Sequence, residues 1–124
     1  MTMIKVAIIE DDIAIVQMYR MKFTGLDYKV VTAGNGKDGL VLIEKEEPDI
    51  VLLDLMMPVM NGDTMLRELR KTDWGKDIKV IVLTNMGENE MPTVSDDSNV
   101  VDYIVKADMT PKQVAEKVRT ALSE

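Results

Sequence analysis

Pro48-Asp49-Ile50-Val51-Leu52-Leu53-Asp54-Leu55-Met56-Met57-Pro58-Val59-Met60-Asn61-Gly62 is an apolar run closed by a single carboxylate, Asp54, just ahead of a turn. An uninterrupted apolar stretch bounded by turn signals reads as a strand buried on both faces, as in a parallel sheet, where a charge can sit only at the end. Open α/β sheets bind their ligands at the carboxyl ends of such strands. Taken alone, Asp54 also reads as a turn cap, so its meaning depends on the rest of the chain.

Upstream, Met3 to Ile9 is a β-branched apolar run that stops at three successive acids, Glu10, Asp11 and Asp12. A helix follows, with Ile15, Met18, Tyr19 and Phe23 near helical spacing and Gly25 beyond its last turn. Tyr28 to Ala33 is a short second strand. Gly34-Asn35-Gly36 breaks the chain before a second helix, marked by Leu40 and Ile43, that ends ahead of Glu47-Pro48. Downstream, Met65, Leu66 and Leu69 suit an amphipathic third helix. In the loop after it, Trp74 reads as a partly buried anchor. Ile78 to Leu83 is strand four, ending at Thr84-Asn85. The polar segment from Met86 to Asn99, interrupted by Pro92, allows only a short or frayed fourth helix. Val100 to Val105 is strand five, ending at Lys106. Thr110-Pro111-Lys112-Gln113 then supplies an N-cap, a proline at N1 and a glutamine at N3 for a fifth helix carrying Val114, Val118, Ala121 and Leu122.

Five β-α alternations call for a mostly parallel sheet with helices on both faces and right-handed crossovers. The fold class is therefore α/β, doubly wound, and five strands match the flavodoxin-like order 2-1-3-4-5. That order makes strands one, three, four and five neighbours. Their carboxyl ends bring together Glu10 and Asp11, then Asp54, then Thr84, then Lys106.

The 124 residues make one domain, 1–124, too short for a catalytic domain plus a regulatory one. With no cysteine and no histidine, thiol nucleophiles, thiolate sites and imidazole chemistry are excluded. No basic stretch leading into an apolar run, and no apolar run of spanning length, indicates a signal peptide or membrane segment, so a cytoplasmic location and no membrane partner are expected. A net charge of −7 repels a phosphate backbone and argues against direct nucleic-acid binding, although an acidic surface also serves solubility alone.

Three carboxylates on adjacent strand ends repel one another and are costly to bury together without a neutralising cation. Magnesium suits an oxygen-only donor set and keeps several waters, so one or two carboxylates and a backbone carbonyl suffice. Soft and imidazole ligands are absent, which disfavours zinc and copper. A carboxylate in such a site can attack a phosphoryl group to give an acyl phosphate. Lys106 offers a cation for the phosphoryl oxygens and Thr84 a hydroxyl donor. Each residue has a plainer reading: the three acids as a solvated helix start, Thr84 as a strand-end residue, Lys106 as a surface lysine.

The chain resembles a two-component response-regulator receiver domain of the stand-alone, chemotaxis-regulator type over essentially its whole length. The matching residues are Ile8-Ile9-Glu10-Asp11-Asp12, Asp49 to Pro58 with Asn61-Gly62, Val82-Leu83-Thr84, and Asp102 to Lys106. The resemblance implies a phosphorelay signalling switch, not an enzyme acting on an external substrate, though one able to catalyse its own phosphorylation and dephosphorylation at Asp54. Asp54 would be the phosphoacceptor. Glu10 and Asp11 would be the acidic pair, Met56 a Mg2+ ligand through its backbone carbonyl, Lys106 the phosphate-contacting lysine, and Thr84 with Tyr103 the switch pair. The implied partners are a sensor histidine kinase or histidine phosphotransfer protein, and a downstream protein on the face of helix four, strand five and helix five. Three departures stand out: Asn85 where the family has a small residue, Ala107 where it commonly has proline, and Pro92 within the fourth helix.

Three other readings compete. A constitutive interaction module would keep the fold without phosphotransfer. A haloacid-dehalogenase-like phosphatase needs a second aspartate where Met56 stands. A flavin site needs a Ser/Thr/Gly-rich loop where the three acids stand.

Overall fold

The computed structural model describes residues 3–84 and 99–123. Five strands form one parallel sheet in the order β2-β1-β3-β4-β5, the order expected from the alternation. The strands are β1 (Lys5–Ile9), β2 (Lys29–Ala33), β3 (Ile50–Asp54), β4 (Lys79–Thr84) and β5 (Val100–Val105). The described helices are α1 (Ile13–Gly25), α2 (Gly36–Glu46), α3 (Gly62–Arg70) and α4 (Pro111–Leu122), the last being the one expected as helix five. The expected fourth helix, with Asn85, Met86, Met91 and Pro92, lies outside the described residues.

Alternation along the strands sorts the core into two layers. Val6, Ile8, Ile50, Leu52, Ile81, Leu83 and Ile104 pack on one face with Tyr19 and Phe23 of α1 and Val114 and Val118 of α4. On the other face Ala7, Ile9, Val51, Leu53, Val80 and Val82 meet Ile43 of α2 and Met65, Leu66 and Leu69 of α3. Every residue of β3 is buried, so the apolar run that opened the sequence is the middle of the molecule. Trp74 packs against the second layer, as its loop position suggested.

Caps fix the helix starts. Asn35 and Asn61 accept backbone N–H bonds at α2 and α3, and Thr110 with Gln113 forms a reciprocal capping box ahead of Pro111. Lysines finish two helices: Lys5 Nζ donates to the Glu46 carbonyl and Lys79 Nζ to the Ala121 carbonyl, where the helix dipole favours positive charge. Two details differ from the sequence reading. Gly25 is the last residue of α1 rather than its stop, and the left-handed residue is Asp27, at φ 67°. Short polar Asp tolerates that conformation, so glycine is not required.

Candidate functional site

The register of the sheet decides which side chains meet. Ile9 lies opposite Leu53, Asp54 opposite Leu83, and Thr84 opposite Val105. One step further along, Glu10, Asp54 and Lys106 share the carboxyl rim and, by alternation, the face that carries α1 and α4. The β1 ladder continues past its last strand residue, since Glu10 N–H donates to the Ala33 carbonyl at 3.0 Å.

Lys106 Nζ is the hub, 2.9 Å from Glu10 Oε2 and 3.4 Å from Asp54 Oδ2. All three side chains are almost completely removed from solvent. Backbone amides satisfy the remaining oxygens: Asp12 N–H donates to Glu10 Oε1, and Met56 N–H donates to Asp54 Oδ1. Asp11 remains exposed at the edge of the cluster. One oxygen from each of Glu10, Asp11 and Asp54 lies within 4.8 Å of the other two. Three hard oxygens at that spacing, two buried and one open to water, fit a divalent cation that keeps part of its hydration shell.

The cluster's electrostatics carry the same imbalance. Burial raises the Glu10 carboxyl from 4.5 to about 7; the Lys106 hydrogen bond and the Asp12 amide oppose the rise, and the charge of Asp54 adds to it. Burial disfavours the charged form of Lys106, but its hydrogen bond to Glu10 and the fields of Asp54 and Glu10 outweigh that, and its pKa rises. One lysine therefore stays a cation without fully compensating the acids around it. Tyr19, underneath in α1, is also pushed up, first by burial and then by Glu10.

The three consecutive acids divide their work. Asp12 is the helix start, its carboxylate accepting from Ala14 and Ile15 N–H. Glu10 turns inward and Asp11 outward. Thr84 and Tyr103 lie on the opposite face of the sheet from Glu10, Asp54 and Lys106: Tyr103 pairs in register with Val82 and packs against the second core layer with its hydroxyl shielded from water, and Thr84 is fully buried. Met57 and Met60 pack against that same layer, whereas Met56 is 63% exposed at the mouth. Lys106 opens a 3-10 turn, Lys106–Asp108, that leads toward α4.

Two glycines shape the rim, and composition alone did not show why. A Cβ on Gly62 would collide with the carbonyl oxygen of Asp54 itself. On Gly36 it would come within 2.6 Å of the Met60 carbonyl, to which Gly36 N–H donates at 2.9 Å. The loop after Asp54 is thereby pressed against α2 and α3. At its tip Val59 holds φ 67° while 80% exposed, a strained setting for a β-branched residue.

This rim, on this sheet, defines the chain as a member of the response-regulator receiver domain family, whose model matches residues 6–119. It is 33% identical over 118 residues to the probable transcriptional regulator ycf27 of Porphyra purpurea, covering 95% of this chain and 47% of that protein. The chain spans about half the length of the curated relatives it matches. Among solved structures it superposes on the chemotaxis response regulator CheY4 of Vibrio cholerae with a TM-score of 0.87 at 26% identity, covering 97% and 99% of the two chains. A CheY-like receiver domain protein from Methanospirillum hungatei gives the same score and identity, with 98% and 95% coverage. Among the described residues, no helix is long and apolar enough to cross a membrane.

Proposed function

We infer that this receiver domain is a phosphorylation-dependent switch in which Asp54 accepts a phosphoryl group from a phosphohistidine on a sensor kinase or phosphotransfer protein. The observation that carries the reading is the Lys106 ammonium held between Glu10 and Asp54 beside an exposed third carboxylate. An Asp54 carboxylate oxygen attacks phosphorus and the donor's P–N bond breaks. The imidazole leaves with the electron pair and takes up a proton, and an aspartyl phosphate remains.

Magnesium, held by Glu10, Asp11, Asp54 and the Met56 carbonyl, would supply charge neutralisation on the phosphoryl oxygens. Lys106 keeps a cation at the same oxygens. Met56 N–H, already bonded to Asp54 Oδ1, orients the carboxylate. The Thr84 hydroxyl donates to the new phosphoryl group, and Tyr103, on the same face of the sheet, follows into the space that opens. That movement would alter the surface of β5 and α4 offered to a downstream protein. The name of the Porphyra purpurea relative, probable transcriptional regulator, describes a protein about twice this length; the output proposed for the domain itself is a protein contact at that surface.

Incubation with Mg2+ and acetyl phosphate, followed by intact-mass measurement, tests the reading. A phosphoryl adduct is expected on the native protein and not on Asp54→Asn. No adduct would favour a constitutive interaction module instead, and one that survives the substitution would put the phosphoryl group on a residue other than Asp54.

A further inference from the structure

A second concavity lies between α1 and α4, where α1 hands over to β2. Its volume is about 330 Å³. Leu26, Tyr28 and Ala115 give it an apolar lining, and Lys22, Lys112 and Arg119 stand around them with Glu116 as the lone acid. The balance of three cations to one acid is notable on a chain whose net charge is −7. Elsewhere Lys5, Lys71, Lys106 and Lys117 are each engaged with a carboxylate. Among the described residues, no ion pair or hydrogen bond engages the charged groups of Lys22, Lys112 or Arg119.

We propose that this groove docks an acidic segment of a partner protein, seating one apolar side chain against Leu26 and Tyr28 while flanking carboxylates meet Lys22, Lys112 and Arg119. The groove is open along one side, and Leu26 is 46% exposed. A small free ligand would stay half wet there, whereas buried small-molecule sites enclose most of their ligand. A side chain carried by a longer segment fits an open groove, and its neighbours reach the surrounding charges. None of Glu10, Asp11, Asp54 or Lys106 lines the groove, so it is a site separate from the acidic rim.

The probe is a short blocked peptide, Asp-Asp-Leu-Phe-Asp-Asp, titrated into the isotope-labelled full chain and followed by backbone amide shifts. Saturating shifts are expected at Leu26, Tyr28, Lys112 and Ala115. The double substitution Lys112→Glu/Arg119→Glu should weaken binding about tenfold or more, as should Ser-Ser in place of Leu-Phe in the peptide. Both substituted side chains are exposed; an acid in the first turn of α4 suits the helix dipole and one in its last turn opposes it, each by a small surface effect, so the variant is expected to fold. Its response to beryllofluoride near Thr84 and Tyr103 checks the fold and keeps failure of docking distinct from failure of the switch. Scattered shifts, equal binding of a Lys-Lys-Leu-Phe-Lys-Lys peptide, or binding that survives the charge reversal would overturn the proposal. So would self-association without peptide that moves the same amides, because the groove would then belong to a second copy of the chain.

Discussion

Glu10 shows how one buried carboxyl links acidity to stability. Its folded-state pKa is raised from 4.5 to about 7, chiefly by burial, so between those values the folded protein holds a proton that the unfolded chain has lost. The sign follows directly: the stabilisation is complete below about pH 4.5 and disappears as pH rises through 7. Without divalent cations, urea denaturation at pH 8 should show this group's contribution reduced by up to about 3 kcal/mol relative to pH 5. Glu10→Gln should flatten that part of the profile; an unchanged slope would show that Glu10 ionises freely. Val59 offers an opposite opportunity. Its left-handed backbone costs a non-glycine residue roughly 1–2 kcal/mol, and at 80% exposure its side chain contributes little packing. Val59→Asn should raise the urea midpoint, by the equivalent of about 1 kcal/mol.

At the level of elements, the segment joining β3 to α3 is held by close glycine contacts as well as by Leu55, Met57 and Met60 in the second core layer. Gly62→Ala would press a methyl group against the Asp54 carbonyl, so a loss of about 1–3 kcal/mol is expected, as in other overpacked sites. Slower phosphorylation by acetyl phosphate should accompany it, because the displaced backbone belongs to Asp54, the proposed phosphoacceptor. Thr110→Ala removes one half of the capping box of α4 and should cost about 1 kcal/mol in thermal or urea unfolding without affecting the Asp54 adduct. The same contrast explains what could be read from the chain. Strands and capped helices follow from local apolar period and end chemistry, which is why β3, Thr110-Pro111 and the strand order were legible. The convergence of Glu10, Asp54 and Lys106 followed once the order was inferred, since each closes a strand. What escaped was long-range and steric: Gly36 against Met60, Gly62 beneath Asp54, and the separate duties of Glu10, Asp11 and Asp12. Nothing in the local sequence distinguishes an acid that turns inward from one that caps a helix.

For the whole molecule, Mg2+ binding at the acidic rim, as proposed, would tie metal affinity to folding. A ligand that binds only the folded chain stabilises it by RT ln(1 + [L]/Kd), about 2.7 kcal/mol at a hundredfold excess over Kd. Mg2+ should therefore raise the melting temperature in a concentration-dependent way and weaken the pH slope contributed by Glu10. Asp11→Asn should remove most of that rise while leaving the metal-free melting temperature nearly unchanged, because Asp11 is exposed and neither Glu10 nor Asp54 depends on it for a hydrogen bond. A Mg2+ response that survives the substitution would place the cation elsewhere. The bridge from Lys106 to Glu10 joins residues 96 positions apart and passes from an edge strand to one near the middle of the sheet. During synthesis the acids therefore leave the ribosome long before their counter-ion, and a nascent chain halted ahead of β5 carries uncompensated negative charge at an unfinished rim. The counter-charge of the rim is thus gained only when β5 completes the sheet, and a product truncated ahead of it would lack Lys106 altogether.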